Sequence, residues 1–369
     1  MESQSADQAE QSHVLQTQRP VSRHVHSKAQ NEISSPLSVL DEKGQPHNFG
    51  WSRYPGFFYD PFLVATPRYR ISESDRYIVQ SPTHLIVFEI RDDGLLGCMC
   101  ISVISLRDKK RSSHTFKTII PMGTFDLPTN CTSGSVRWRK KKAHLDFVSM
   151  DGGVRIIQVD IPHFGRHRSL RGTIVLMEPA SRHSLNSNQP WRNEKAAFRY
   201  SHCSPWYSAE GVIQFGGAEI IFTRGNGWGI LDWNRGARPK ADVRYWACAC
   251  GMSEGRQISF CVGYSRSDSS NGTENGIFVD GKLNKLDQVT FHIPLNDWLT
   301  PWWFTSNDNR LEMTFTPHQE RIERRRFFFH NTTLRQVCGF FSGRALLDDG
   351  TMIEFQNLTG FAERSKMRL

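Results

Sequence analysis

No stretch of this chain approaches the roughly 20 apolar residues that cross a bilayer as a helix. The longest candidates, such as Leu85 to Ile90, are strand-sized and end in charge, so a helical membrane span is excluded. The opening residues MESQSADQAEQSH carry acids and glutamines, where a secretory leader begins basic and turns apolar. A cytoplasmic location is therefore expected. The cysteines, Cys98, Cys100, Cys131, Cys203, Cys248, Cys250, Cys261 and Cys338, never take the C-x-x-C spacing of a structural zinc site. His163 and His167 stand four apart with no third ligand after them, and no metal is expected. A reducing compartment and a chain of this size argue against a disulfide framework and for buried free thiols. The sequence also lacks H-E-x-x-H, a P-loop, G-x-S-x-G and a strand-placed G-x-G-x-x-G. Gly225-Asn226-Gly227 has neither the third glycine nor the following helix, so no cofactor is expected.

What is present describes a folded, aromatic-rich protein. The 369 residues are 38% hydrophobic and 11% aromatic, with ten Trp and 24 Phe, too apolar for a disordered chain. Net charge is +9, and the basic residues gather in the runs Arg107 to Arg111, Arg137 to Lys142 and Arg321 to Arg326. The last two adjoin strand-like segments, where exposed charge guards a sheet edge against aggregation. No nucleic-acid-binding signature accompanies them, and the expected partner is a small-molecule ligand rather than nucleic acid.

Helical periodicity is nearly absent; only Pro294 to Trp298 suggests a helical turn. Short β-rich runs instead recur between turn signals from Tyr77 onward, among them HLIVFEI, CMCISVISL, VRIIQVDI, GWGILDW and RYWACACG. In a strand, alternate residues share a face, so Cys98 with Cys100 and Cys248 with Cys250 each point to one side. Many short strands at regular spacing predict an all-β protein of barrels or sandwiches. The expected organisation is a disordered tail over 1–34, a β domain over 35–188 and a second over 189–369, split at the polar gap Arg182 to Gln189.

Two polar clusters attract functional interest. Asp232-Trp233-Asn234-Arg235-Gly236 sets a carboxylate, an indole, an amide and a guanidinium at what reads as a strand end. It either orients a polar ligand group or closes a corner through an Asp–Arg pair packed on Trp233. Asn271-Gly272-Thr273-Glu274-Asn275-Gly276, followed by Asp280-Gly281-Lys282-Leu283, reads as a pair of turns, which leaves Glu274 unexplained. A carboxylate in a cavity mouth serves as acid, base or anchor when burial moves its pKa toward neutrality. Trp228, Trp233, Trp246, Trp298 and Trp302-Trp303 supply either a ligand wall or simply core.

At these residues the chain resembles the family catalogued as domain of unknown function 2804. The matching stretches are Gly50-Trp51-Ser52-Arg53, the Asp232–Gly236 motif, Thr273-Glu274-Asn275 with Asp280-Gly281-Lys282-Leu283, and Gly360-Phe361-Ala362-Glu363-Arg364. The chain departs from the family pattern at Ser74-Asp75-Arg76-Tyr77 and at Met367-Arg368-Leu369, as a divergent member would. The resemblance implies two lipocalin-like, calycin-related lobes. It also implies kinship with carotenoid hydratases of the hydroxyneurosporene synthase type and fungal Diels–Alderases.

The reading that follows is a cofactor-free enzyme for hydration, isomerisation or cyclisation of a mostly apolar ligand. Asp232 and Glu274 are its expected acid and base, and Trp233, Asn234, Arg235, Trp246, Asn275 and Glu363 its ligand contacts. A carrier using the same cavity is one alternative. Another is a carbohydrate-active enzyme with two of Asp232, Glu274 and Glu363 at roughly 5–9.5 Å.

Overall fold

The computed structural model describes residues 29–165, 168–178, 182–328 and 330–369. Up to residue 28 the expected tail lies outside the described residues, as does His167. From Ala29 to Ser34 the chain is docked, with Gln30 Nε2 donating to Leu286 O and Asp287 Oδ1 and Asn31 N to Asn271 O.

The fold is all-β, built on two large antiparallel sheets that each curl on themselves. The first has 13 strands; along its main path run Arg111–Ile119, Leu96–Ser105, His84–Asp92, Glu73–Gln80, Trp228–Ala237, Glu194–Phe215, Leu170–Met177, Val154–Ile161, Ala143–Met150 and Val136–Lys140. Its two end strands meet through side chains, with Phe116 and Trp138 5.0 Å apart and Lys140 Nζ donating to Lys117 O. The second has nine strands, centred on Ala241–Ser253, Met352–Arg368, His330–Leu346 and Leu311–Phe327. Its end strand Val289–His292 packs back onto Arg256–Tyr264, with Tyr264 and Phe291 5.4 Å apart. The only helical turns among the described residues are the 3-10 turns Arg68–Arg70 and Asp151–Gly153; Pro294 to Trp298 forms none.

Alternation along each strand produces three layers of core. Tyr77, Val79, Phe88, Phe147, Tyr200 and Trp233 fill the first barrel, and Ala247, Phe260, Trp302, Phe315 and Phe341 the second. The intervening positions, Ile78, Val87, Trp246, Cys248, Cys250, Cys338 and Phe361, pack between the sheets. Glu194–Phe215 bends at Trp206, where a register shift lies between Pro205 and Tyr207 and Trp206 has a φ of 75°.

The basic runs sit where edge charge was expected. Val136–Lys140 is the last strand of the first sheet, and beyond Phe315 the Leu311–Phe327 strand has a partner on one side only. The expected split at 188/189 does not coincide with the change of sheet, which comes between Ala237 and Ala241. Leu185–Trp191 is a strand of the first sheet whose buried polar side chains satisfy backbone carbonyls: Asn186 donates to Ser52 O, Asn188 to His47 O and Gln189 to Gly272 O. Against the expectation of free thiols, Cys203 of the first sheet is disulfide-bonded to Cys261 of the second, while the other six cysteines are free and buried. Both partners lie on the facing sides of the two sheets, a juxtaposition that no sequence spacing encodes.

Candidate functional site

The polar end of the inter-sheet layer follows from strand register. Cys203, Asp232, Arg76, Glu89 and Cys100 stand side by side on five neighbouring strands of the first sheet. Across from them the second sheet sets Trp246, Glu363, Gln336 and Arg321 in one row. Arg76 joins the two rows. Its Nε and Nη2 donate to Asp232 Oδ2 at 2.9 and 2.6 Å, and its Nη1 to both oxygens of Glu363 at 2.9 Å. Gln336 Nε2 donates to Glu363 Oε2 and Gln336 Oε1 accepts from Arg111 Nη2, while Asn234 Nδ2 donates to Asp232 Oδ1. The Arg76 guanidinium lies 4.7 Å from the Trp246 ring centre, a cation–π contact that further favours the buried cation.

Beside this network a cavity of about 130 Å³ opens between the sheets. That is well below the roughly 300–1,000 Å³ of pockets for drug-sized ligands. Its walls carry Arg76, Arg91, Arg199, Arg238, Arg244 and Arg325 together with Glu89, Asp93, Asp242 and Glu363. Trp191 and Phe198 also line this charged cleft, while Trp233 and Trp302 fill the barrels. The cations and acids largely pair: Arg199 with Asp242, Arg91 with Glu89, and Arg325 with Glu323 and Glu89. Three buried atoms on the cleft residues have no hydrogen-bond partner among the described residues, Asn234 Oδ1, Arg238 Nε and Trp191 Nε1.

The electrostatics fix the protonation states. Burial pushes the Asp232 carboxyl up, but Arg76, Arg244 and the Asn234 amide outweigh it and leave the pKa below the ordinary carboxylate value. Burial acts likewise on Glu89, and Arg91, Arg325 and Arg76 bring it down to about 2. His202 takes the opposite course: burial, reinforced by Arg155, lowers it to about 3, so the ring is neutral.

The structure brings together some of the residues singled out in the sequence and separates others. Asp232, Asn234, Trp246 and Glu363 converge through Arg76. Glu274 is held by Arg244, whose Nε donates to Glu274 Oε1 at 3.1 Å and whose guanidinium lies 5.6 Å from the Trp246 ring. Trp233 and Arg235 go elsewhere, since alternation turns them into the first barrel. Arg235 Nη2 donates to Asp75 Oδ1 at 2.7 Å, its guanidinium stacks 4.0 Å from Trp233, and its side chain is fully buried. Asn275 braces backbone, accepting from Gly263 N and donating to Asp287 O. Sequence reasoning missed Arg76 and Arg244. The available signal for the first was a cation placed inside the strand run Glu73–Gln80, just ahead of the apolar stretch Tyr77 to Val79.

Solved structures resemble this chain at 10 to 14% identity, three of them being representative. CghA, crystallised with Sch210972, matches with a TM-score of 0.49 at 11% identity, covering 82% of this chain and 89% of that one. A protein of Nitrosomonas europaea assigned as AttH gives 0.47 at 14%, with 85% and 98% covered. Kievitone hydratase of Nectria haematococca gives 0.44 at 10%, with 84% and 93% covered. No curated protein matches the chain. The family model described as Domain of unknown function (DUF2804) matches residues 30–369, and the chain belongs to that family.

Proposed function

We propose that the chain is a binding protein for a small polar molecule, seated in the cleft between the sheets on Asn234 and Arg244. The observation that carries this reading is the unpartnered Asn234 Oδ1 on the wall of a charge-lined cleft. This oxygen is buried and lacks a donor, so a ligand hydroxyl that reached it would supply the missing hydrogen bond. Arg244 spends its Nε and Nη2 on Glu274, which leaves its Nη1 for a ligand carboxylate or carbonyl. Small hydroxy acids and oxo acids carry both kinds of group.

The same geometry speaks against a general-acid role for Asp232. A general acid at neutral pH needs a raised pKa, and Asp232 is shifted the other way. The glycosidase reading needs an open space between two carboxylates, whereas the Arg76 guanidinium occupies the space between Asp232 and Glu363. Binding that does not use Asp232 as a general acid therefore fits best.

Thermal-shift measurements with lactate, malate and 2-oxoglutarate on one side and Nile red on the other test the reading. At least one polar compound is expected to raise the unfolding temperature of the wild type and to act less on Asn234→Ala. Binding of Nile red alone, or equal effects on both proteins, would overturn it.

A further inference from the structure

The outer half of the second sheet carries a patch that the cleft does not use. Register places Ile322, Arg324 and Arg326 on one face of their strand, beside Arg335, Thr333 and Asn331 on the next and Arg364, Lys366 and Arg368 on the third. This face continues the interior of the second barrel past its core, since Val337 and Ala362 occupy the preceding row. The opposite face of the same strands, with Arg325, Leu334 and Glu363, lines the cleft. The two surfaces are therefore distinct.

The charge in this patch is of one sign. Arg324, Arg326, Lys366 and Arg368 are exposed, and among the described residues none of them forms an ion pair or side-chain hydrogen bond. Arg364 also lacks an ion pair, and its buried Nε has no hydrogen-bond partner. The one carboxylate in these rows, Glu320, is taken by Arg335. Apolar groups stand out beside the cations: Phe328, at the turn between the two long strands, is 82% exposed, and Ile322 is 47% exposed.

We propose that this face docks the protein on an anionic lipid surface, with the cations on the headgroups and Phe328 and Ile322 at the acyl boundary. Basic residues near such a surface are drawn to its headgroups, and exposed apolar side chains add burial in the interface. Nucleic acid fits less well. Its bases need open aromatic faces, but the positions between the cations are Thr333, Asn331, Val243 and Ala241, and Tyr245 and Tyr264 stack on each other at 4.9 Å.

Co-sedimentation of the full chain with vesicles tests the proposal, comparing pure phosphatidylcholine with a mixture holding about 30% phosphatidylserine. Binding is expected only to the anionic vesicles and is expected to fall with added salt. The double variant Arg324→Glu/Arg326→Glu is expected to bind at least about tenfold more weakly, and Phe328→Ser to bind detectably more weakly. Arg137→Glu/Lys142→Glu, on the edge of the other sheet, is expected to bind as the wild type does. Circular dichroism establishes that each variant is folded; if the double variant is not, Lys366→Glu/Arg368→Glu replaces it. The proposal is overturned if neither vesicle is bound, if both are bound equally, if charge reversal on the patch has no effect, or if a single-stranded RNA of about 20 nucleotides binds while vesicles do not.

Discussion

Arg76 Nη1 donates to both carboxylate oxygens of Glu363 across the boundary between the two sheets, at 2.9 Å each. Its other edge holds Asp232 of its own sheet, and all three side chains are almost entirely buried. Removing one partner of such a network strands the remaining charges out of water, at a cost of about 3–5 kcal/mol. Arg76→Ala is expected to lose stability on that scale in urea unfolding. The triple change Arg76→Met, Asp232→Asn, Glu363→Gln is expected to recover most of it, because no charge is then left unpaired. A triple variant as unstable as Arg76→Ala would show that the charges themselves hold the sheets.

His202 makes stability depend on pH. The folded protein keeps its ring neutral down to about 3, while the unfolded chain takes a proton near 6.5. Between those values the unfolded state binds more protons, so stability falls as pH drops through this window. At pH 5 the loss from this one group is about 2 kcal/mol. His330, lowered to about 4 by burial, acts in the same direction. His202→Gln keeps a donor for Asn186 Oδ1, the present partner of the ring, and is expected to flatten the change in urea midpoint between pH 6.5 and 5. An unchanged pH dependence in this variant would rule out His202 as its source.

Gly360 allows the second sheet its close strand approach. A Cβ there would lie 2.1 Å from Cys248 O and 2.6 Å from Ala249 Cβ. Gly360→Ala forces the strands apart and is expected to cost about 1–3 kcal/mol, seen as a lower unfolding temperature. A neutral result would mean that the sheet has room to flatten.

Much of the fold was legible because it rests on local signals. Apolar alternation marked the strands, and Asp280-Gly281 forms the expected two-residue hairpin turn, with φ values of 48° and 84°. The change of sheet was not legible. Leu185–Trp191 reads as a linker by hydropathy, yet its amides are buried against backbone carbonyls. The site was half legible for a similar reason. Composition drew attention to Asp232 through Arg235, but alternation sends Asp232 and Asn234 to the cleft and Trp233 and Arg235 into the barrel. Arg76 owes its position to a strand pairing 156 residues away in sequence, which no local pattern announces.

The central claim is that the cleft beside Asn234 and Arg244 is the ligand site. Calorimetric titration of the wild type and of Asn234→Ala, using whichever of lactate, malate or 2-oxoglutarate gives the largest thermal shift, tests it most directly. The account predicts saturable one-to-one binding that weakens by roughly 5–15-fold in the variant, as expected for loss of one hydrogen bond worth about 1–1.5 kcal/mol. Equal affinity in the two folded proteins, or no binding of any of the three acids by the wild type, would contradict it.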